Sequence, residues 1–232
     1  MTHRFSRRAV LMQIGLGSAA ATLAPAHHAF AQLDSRPWAF LTDDEARWLA
    51  AICDVFIPED DYPSASQAGV VDYIDMQMAT GYGQGEGLYL KGPFPEGTPQ
   101  QGYQLPYTPS QLVREGLAAL RDRAEADITT LSAGDRDAFV QAMSEETGTY
   151  GDVPAGTFFN EVLSLTNEGY FADPIYLGNH NYAGWEMVGF PGAHAYFLER
   201  VDEHNLPVDQ PPMGIAHNSG QSTLPRPIGQ EG

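Results

Sequence analysis

The sequence predicts an all-α protein, a single irregular helical domain of about six helices with long loops rich in glycine and proline. Two observations favour this class. Capping residues precede several apolar stripes of helical spacing, and no segment shows a convincing strand alternation. The stretches between the stripes hold many of the 24 glycines and 17 prolines, which interrupt regular structure. The chain shows no internal repeat.

The first residues form an export signal. Arginines without acidic neighbours precede an apolar, small-residue run over 9–24, and a small-residue cleavage pattern ends at Ala31. We therefore expect residues 1–31 to be removed. The pair Arg7 and Arg8, placed before a weakly hydrophobic run, is typical of twin-arginine signals; an ordinary secretory signal is the alternative.

Behind the signal we expect one helical domain over 32–205 and a Pro/Gly-rich tail over 206–232. The formal net charge of the whole chain is −18, and cleavage would remove further arginines. Such a surface repels nucleic acid and anionic lipid, and it suits solubility or a basic partner. No later segment approaches the ~20 apolar residues that a membrane span needs. We therefore expect no nucleic-acid binding, and membrane contact only through partners.

The first helix has the clearest signals. Thr42 and Glu45 have the spacing of a capping box, and Pro58 ends the helix. The apolar stripe between them comprises Ala46, Leu49, Ala50, Cys53 and Phe56.

Further helices are predicted downstream. Thr108 and Ser132 are N-cap residues, with Pro109 at a first helical position and Asp135 completing a box after Ser132. Residues 81–107 form a loop too long for an ordinary connection. The predicted helices cover 68–79, a stripe from 109 to 128, 132–146, 154–167 and about 193–203.

Cys53 is the only cysteine. In an exported protein, an odd cysteine suggests either a buried thiol or a disulfide to another subunit. Its place on an apolar stripe favours the buried thiol.

We predict no catalytic, cofactor-binding or metal-binding residues in this chain. His180 and His194 lack a metal-ligand spacing, and no nucleophile lies in a G-x-S-x-G pattern. The alternating glycines at 81–87 lack the strand and helix that a phosphate loop requires.

The segment 169–192, "GYFADPIYLGNHNYAGWEMVGFPG", combines turn-forming dipeptides with large aromatic side chains. Aromatic residues are preferred anchors of interfaces. The composition therefore favours an ordered loop at a binding surface over an active site.

This segment carries a family resemblance. The pattern "NEGYFADPIYLGNHNYAGWEMVGFPGA" at 167–193 resembles gluconate 2-dehydrogenase subunit 3, the small subunit of membrane-bound flavoprotein sugar and sugar-acid dehydrogenases. The stretch 40–75, with its "IP" break and "AGV…YID", is similar to the opening of that family. The likeness is weakest over 81–107.

The resemblance implies a non-catalytic subunit without cofactors of its own. Its partners would be a large FAD-containing dehydrogenase subunit, a multihaem cytochrome c subunit that anchors the complex, and the twin-arginine translocase. The complex would lie in the periplasm and oxidise gluconate or a related sugar acid or polyol.

The resemblance also marks positions for partner docking or for the structure of a loop at or near the flavoprotein contact. They are Asp173, Pro174, Tyr176, Gly178, Asn179, Gly184, Trp185, Gly189, Phe190 and Pro191. The alternative is a free-standing periplasmic enzyme or binding protein that uses His180, Asp173 and their neighbours.

Overall fold

A computed structural model describes residues 33, 36–95, 97–194, 202 and 210–215. The predicted all-α class is confirmed, because the described chain is dominated by helices and has only one small sheet. The helices are α1 (Asp43–Phe56), α2 (Val70–Ala79), α3 (Pro109–Arg123), α4 (Ala133–Glu145), α5 (Ala155–Phe171) and α6 (Ala183–Val188). The sheet pairs β1 (Thr149–Tyr150) antiparallel with β2 (Val153–Pro154).

The signal at 1–31 and nearly all of the predicted helix at 193–203 lie outside the described residues. So does the tail from 216 onwards. Within the described ranges, no helix is both long and apolar enough to cross a bilayer.

The helix starts follow the predicted capping chemistry. Thr42 with Glu45 and Thr108 with Gln111 form complete capping boxes, which satisfy N–H groups that a helix start leaves free. Ser132 also caps α4, but the Asp135 carboxylate accepts from the Ser132 hydroxyl rather than from its backbone N–H.

Helix α5 is the central element of the fold, since it packs against α1, α2, α3 and α4. Phe158, Val162 and Leu165 are buried on its inner side, as predicted. Gly116 lets α3 approach closely, because a Cβ there would lie 2.5 Å from the Phe158 ring.

Two helix ends differ from the prediction. Helix α3 ends at Arg123, although the apolar stripe continues to Ile128. Asp127 caps a separate 3₁₀ turn there, and this turn buries Ile128. Helix α5 runs to Phe171, a turn beyond the predicted end near Asn167, because its last turn is buried against other segments.

The entry into α1 is held by a contact that the sequence did not reveal. The buried Asp75 carboxylate on α2 accepts the backbone N–H groups of Ala39, Phe40 and Leu41, each at 2.8 Å. This carboxylate fixes the chain before α1 against α2.

Cys53 is fully buried between α1 and α5. The Thr166 hydroxyl lies 3.1 Å from its sulfur, and burial raises the pKa of the thiol to about 12. This environment favours the interpretation as a buried thiol, because a thiolate is needed to form a disulfide or attack a substrate.

Candidate docking site

The ten residues singled out in the sequence lie in one substructure that begins where α5 ends. We call residues 172–192 with 213–215 the platform. Its first turn is a 3₁₀ helix, Pro174–Tyr176, capped by Asp173, whose Oδ1 accepts the Ile175 N–H at 3.0 Å. The platform thus starts with a rigid reversal of the chain.

Asn179 is the polar centre of the platform and is fully buried. Its amide nitrogen donates to the Ala172 carbonyl and its amide oxygen accepts the Gly184 N–H, both at 2.8 Å. One side chain therefore links the end of α5 to the start of α6. A buried amide must find such partners, because leaving them unpaired costs free energy.

Two glycines let the platform backbone touch the last turn of α5. A Cβ at Gly178 would lie 2.2 Å from the Gly169 carbonyl oxygen, and one at Gly184 would lie 2.1 Å from the Tyr170 carbonyl oxygen. Both neighbours are backbone atoms, which cannot move aside as a flexible side chain could. These positions therefore require glycine for packing.

The segment 177–182 has an unusual backbone. In the described chain, the non-glycine residues with positive φ all fall here: Leu177, Asn179, Asn181 and Tyr182. Each such residue costs of order 1–3 kcal/mol and persists only where surrounding contacts enforce it. One such contact is the His180 N–H, which donates to the Ala68 carbonyl at 2.8 Å. The platform is therefore fastened to the turn before α2.

Trp185 is the aromatic centre of the platform and is only 6% exposed. Its indole N–H donates to the Phe171 carbonyl at 2.8 Å, which satisfies a carbonyl at the end of α5. Its ring stacks on Tyr182 at 5.5 Å and meets the edge of Phe190 at 5.1 Å. Trp185 therefore supports the platform from inside.

Residues 213–215 close the platform. Met213 lies between Pro191 and Ala193 in a parallel bridge, accepting the Ala193 N–H at 2.6 Å and donating to the Pro191 carbonyl at 3.1 Å. The Ile215 N–H donates to Asp173 Oδ2 at 2.7 Å, and the Gly214 N–H donates to the Tyr182 hydroxyl at 3.1 Å. No local sequence pattern predicts these contacts, since they join segments distant in the chain.

The outside of the platform carries large apolar side chains. We call Ile175, Tyr176, Val188, Phe190 and Ile215 the outer face; each is between 44% and 58% exposed. Exposed apolar residues on a rigid support are typical of interaction surfaces.

The ten predicted residues divide between these inner and outer roles. Tyr176 and Phe190 are exposed, and Gly189 ends α6 with a φ of 67°. Pro174, Gly178, Asn179, Gly184 and Trp185 are buried, and Asp173 and Pro191 are partly buried. Ile175, Val188 and Ile215 were missed, although an apolar residue between turn formers is a signal that could have marked the first two.

Asp173 and His180, the residues of the enzyme alternative, are engaged in holding the platform. Both oxygens of Asp173 accept backbone N–H groups. The His180 ring lies against Gly69, where burial lowers its pKa, while the charge of Asp72 acts to raise it. Among the described residues, no group of three or more His, Cys, Asp or Glu side chains is placed to hold a metal ion.

A family model described as gluconate 2-dehydrogenase subunit 3 matches residues 43–192. The chain belongs to this family. The match runs from the first residue of α1 to residue 192, so it covers the helical core and the outer face apart from Ile215. Comparisons with curated proteins and with solved structures gave no match. As its name states, the subunit 3 family is one part of a dehydrogenase of several subunits.

Proposed function

We propose that this chain is the non-catalytic small subunit of a periplasmic, membrane-bound flavoprotein dehydrogenase. The complex oxidises gluconate to 2-dehydrogluconate, or a related sugar acid or polyol. The observation that carries the proposal is the apolar outer face, held on a rigid platform, in a chain of the subunit 3 family. The outer face covers part of the FAD-containing subunit and stabilises it.

The redox groups belong to the other subunits in this proposal. FAD lies in the large subunit, and haem c lies in the cytochrome subunit that holds the complex at the membrane. The buried Cys53 and the engaged Asp173 and His180 are consistent with a supporting role for this chain.

The second part of the proposal is escort through the twin-arginine translocase. Arg7 and Arg8 direct export of a folded pair, in which the flavoprotein partner keeps its FAD because it never unfolds. One signal on the small subunit then serves both proteins.

The first experiment isolates the tagged chain from its native membranes and records the absorbance spectrum of what accompanies it. We expect a flavoprotein, a c-type haem signal and gluconate-dependent dye reduction. Changing Tyr176 and Phe190 together to serine should reduce the flavin recovered per tagged chain. Tyr89→Ser, which alters an exposed aromatic outside the platform, is the control. A colourless protein recovered alone would contradict the proposal.

The export part has its own test. Replacing Arg7 and Arg8 by lysine keeps the charge but removes the arginine pair. We expect both this chain and the dehydrogenase activity to remain in the cytoplasm. Normal periplasmic activity would contradict the escort role while leaving docking untouched.

A further inference from the structure

Beside the platform, α2 and the loop after it meet α5 in two parallel contacts. The Tyr73 hydroxyl donates to Glu168 Oε2 at 3.1 Å, and the Tyr82 hydroxyl donates to Glu161 Oε1 at 2.6 Å. We call these four residues the ladder. The two glutamates are seven residues apart on one helix, so they share a face about 10 Å apart along the axis.

The ladder adjoins an open groove of about 380 Å³, lined by Tyr73, Gln77, Glu168, Phe171 and Tyr176 among others. Tyr176 also belongs to the outer face of the platform. The groove and the outer face therefore meet at Tyr176, and the groove wall combines the exposed aromatic side chains of Phe171 and Tyr176 with the carboxylates of Glu168 and Asp173.

The charged side chains of the ladder and its groove are all acidic. The sequence holds no lysine or arginine between Arg136 and Arg200, a stretch that includes all of α5 and the platform up to Pro191. Ion pairs in the described chain join Arg36 to Asp72, Arg47 and Arg121 to Asp44, Arg114 to Glu45, and Arg123 to Glu146. None of these pairs involves Glu161 or Glu168.

The ladder carboxylates receive only hydroxyl donors among the described contacts. Glu168 accepts from Tyr73 and Ser164, and Glu161 accepts from Tyr82. An ionised carboxylate can accept about four hydrogen bonds, so acceptor capacity remains on both. Burial raises the pKa of Glu161, the Tyr82 hydrogen bond lowers it, and the charge of Glu168 raises it further, which shows that the two carboxylates act on each other.

We infer that the ladder and its groove bind a cationic, partly apolar segment of the flavoprotein subunit, with lysine or arginine side chains about two helical turns apart. The cations reach Glu161 and Glu168, while the apolar part of the segment covers Phe171 and Tyr176. Charge complementarity selects this occupant, because nothing cationic in the described chain compensates the ladder. The inference rests on the proposed function and deepens it.

The test uses the flavoprotein released from the native complex and rebound to the immobilised chain. Glu161 and Glu168 are changed together to glutamine, which keeps the tyrosine hydroxyls paired and removes only the charges. The control is E115Q with D122N, two exposed carboxylates with the same seven-residue spacing on α3. Dissociation constants are measured over a series of salt concentrations for all three chains.

We expect the ladder variant to bind roughly tenfold more weakly for each charge removed, with a flatter salt dependence, and the α3 variant to bind like the unaltered chain. Equal affinity and equal salt dependence in all three chains would overturn the inference. If Tyr176→Ser with Phe190→Ser still weakened binding, the proposed function would stand without the ladder. An unaltered chain that captures no flavoprotein would overturn both.

The C-terminal segment of this chain is a second candidate occupant of the groove, and it can be tested separately. Residues 216–232 follow the platform directly and include Arg226. A chain ending at Ile215 tests them. One outcome is that the truncation lowers the unfolding temperature as much as the ladder variant does, with no additional effect when the two changes are combined. In that case residues 216–232 cover the ladder and its groove, and the inference is overturned. Unchanged stability with unchanged flavoprotein affinity supports it.

Discussion

The helical core and the platform are built by different means. In the core, α1 to α5 bury apolar stripes, and nearby capping side chains fix the starts of α1, α3 and α4. In the platform, distant backbone groups are joined by single polar side chains such as Asn179 and Asp173. The core is thus stabilised by many similar contacts, whereas the platform depends on a few that cannot be replaced.

This difference has a functional consequence. A segment held by specific contacts can keep an unusual backbone and display Tyr176 and Phe190 to solvent. A helix that buried the same apolar side chains would lose them as a contact surface. Substitutions in the two regions should therefore differ in size and in kind.

The largest effect is expected at Gly184. Gly184→Ala places a methyl group 2.1 Å from the Tyr170 carbonyl oxygen, so α6 must separate from α5. We expect a loss of about 3–5 kcal/mol in the free energy of unfolding, measured by urea denaturation. Gly134→Ala is the control, because its new Cβ meets nothing within 4 Å and lies in α4. That change should stabilise by about 0.5–1 kcal/mol. Equal effects at both sites would show that α6 is not tightly packed.

The second-largest loss of stability is expected at Asn179. Asn179→Ala leaves the Ala172 carbonyl and the Gly184 N–H without their partner and places alanine at a φ of 51°. We expect a loss of about 2–4 kcal/mol. Asn179→Gly removes the same hydrogen bonds but accepts the positive φ, so it should lose about 1 kcal/mol less. If both variants unfold like the unaltered chain, Asn179 does not hold the platform together.

In the core, Cys53→Ala should cost about 1–2 kcal/mol at neutral pH, since it leaves a small void. The pKa of the thiol rises from its ordinary value of 9.0 to about 12 on folding, so the folded state holds the proton more tightly. Its contribution to stability is complete below about pH 9 and is lost as pH rises towards 12. The difference in the free energy of unfolding between the unaltered chain and Cys53→Ala should therefore narrow above pH 9 in urea titrations. A difference that stays constant with pH would contradict the burial of the thiol. Tyrosine titration affects both chains equally and therefore drops out of the difference.

The smallest effect on stability is expected on the outer face. Tyr176→Ser with Phe190→Ser should change the free energy of unfolding by no more than about 1 kcal/mol per site, because each side chain is about half exposed and Phe190 loses one edge contact with Trp185. The same variant is the one expected to lose flavoprotein. Strong destabilisation in thermal unfolding would place these side chains among the supports of the platform instead.

Prediction from sequence succeeded where the cause is local. The capping box at Thr42, the N-caps at Thr108 and Ser132, and the buried stripe of α1 up to Cys53 were predicted correctly. It failed at Ile128, where the apolar spacing continues beyond the end of α3. It also treated all of 169–192 as a loop, although α6 lies within it. Turn-forming residues flank α6, and its six residues are too few to show a periodic stripe.

By itself, the sequence determined the helical class, the capped starts of α1, α3 and α4, and the family, because each depends on residues close together in the chain. Only the tertiary structure decided which residues of 169–192 face inward, that Asp75 anchors the entry to α1, and that 213–215 complete the platform. The physical reason is that a buried amide, carboxylate or glycine takes its role from the backbone group brought against it. That group lies up to 42 positions away in the case of Asp173 and Ile215.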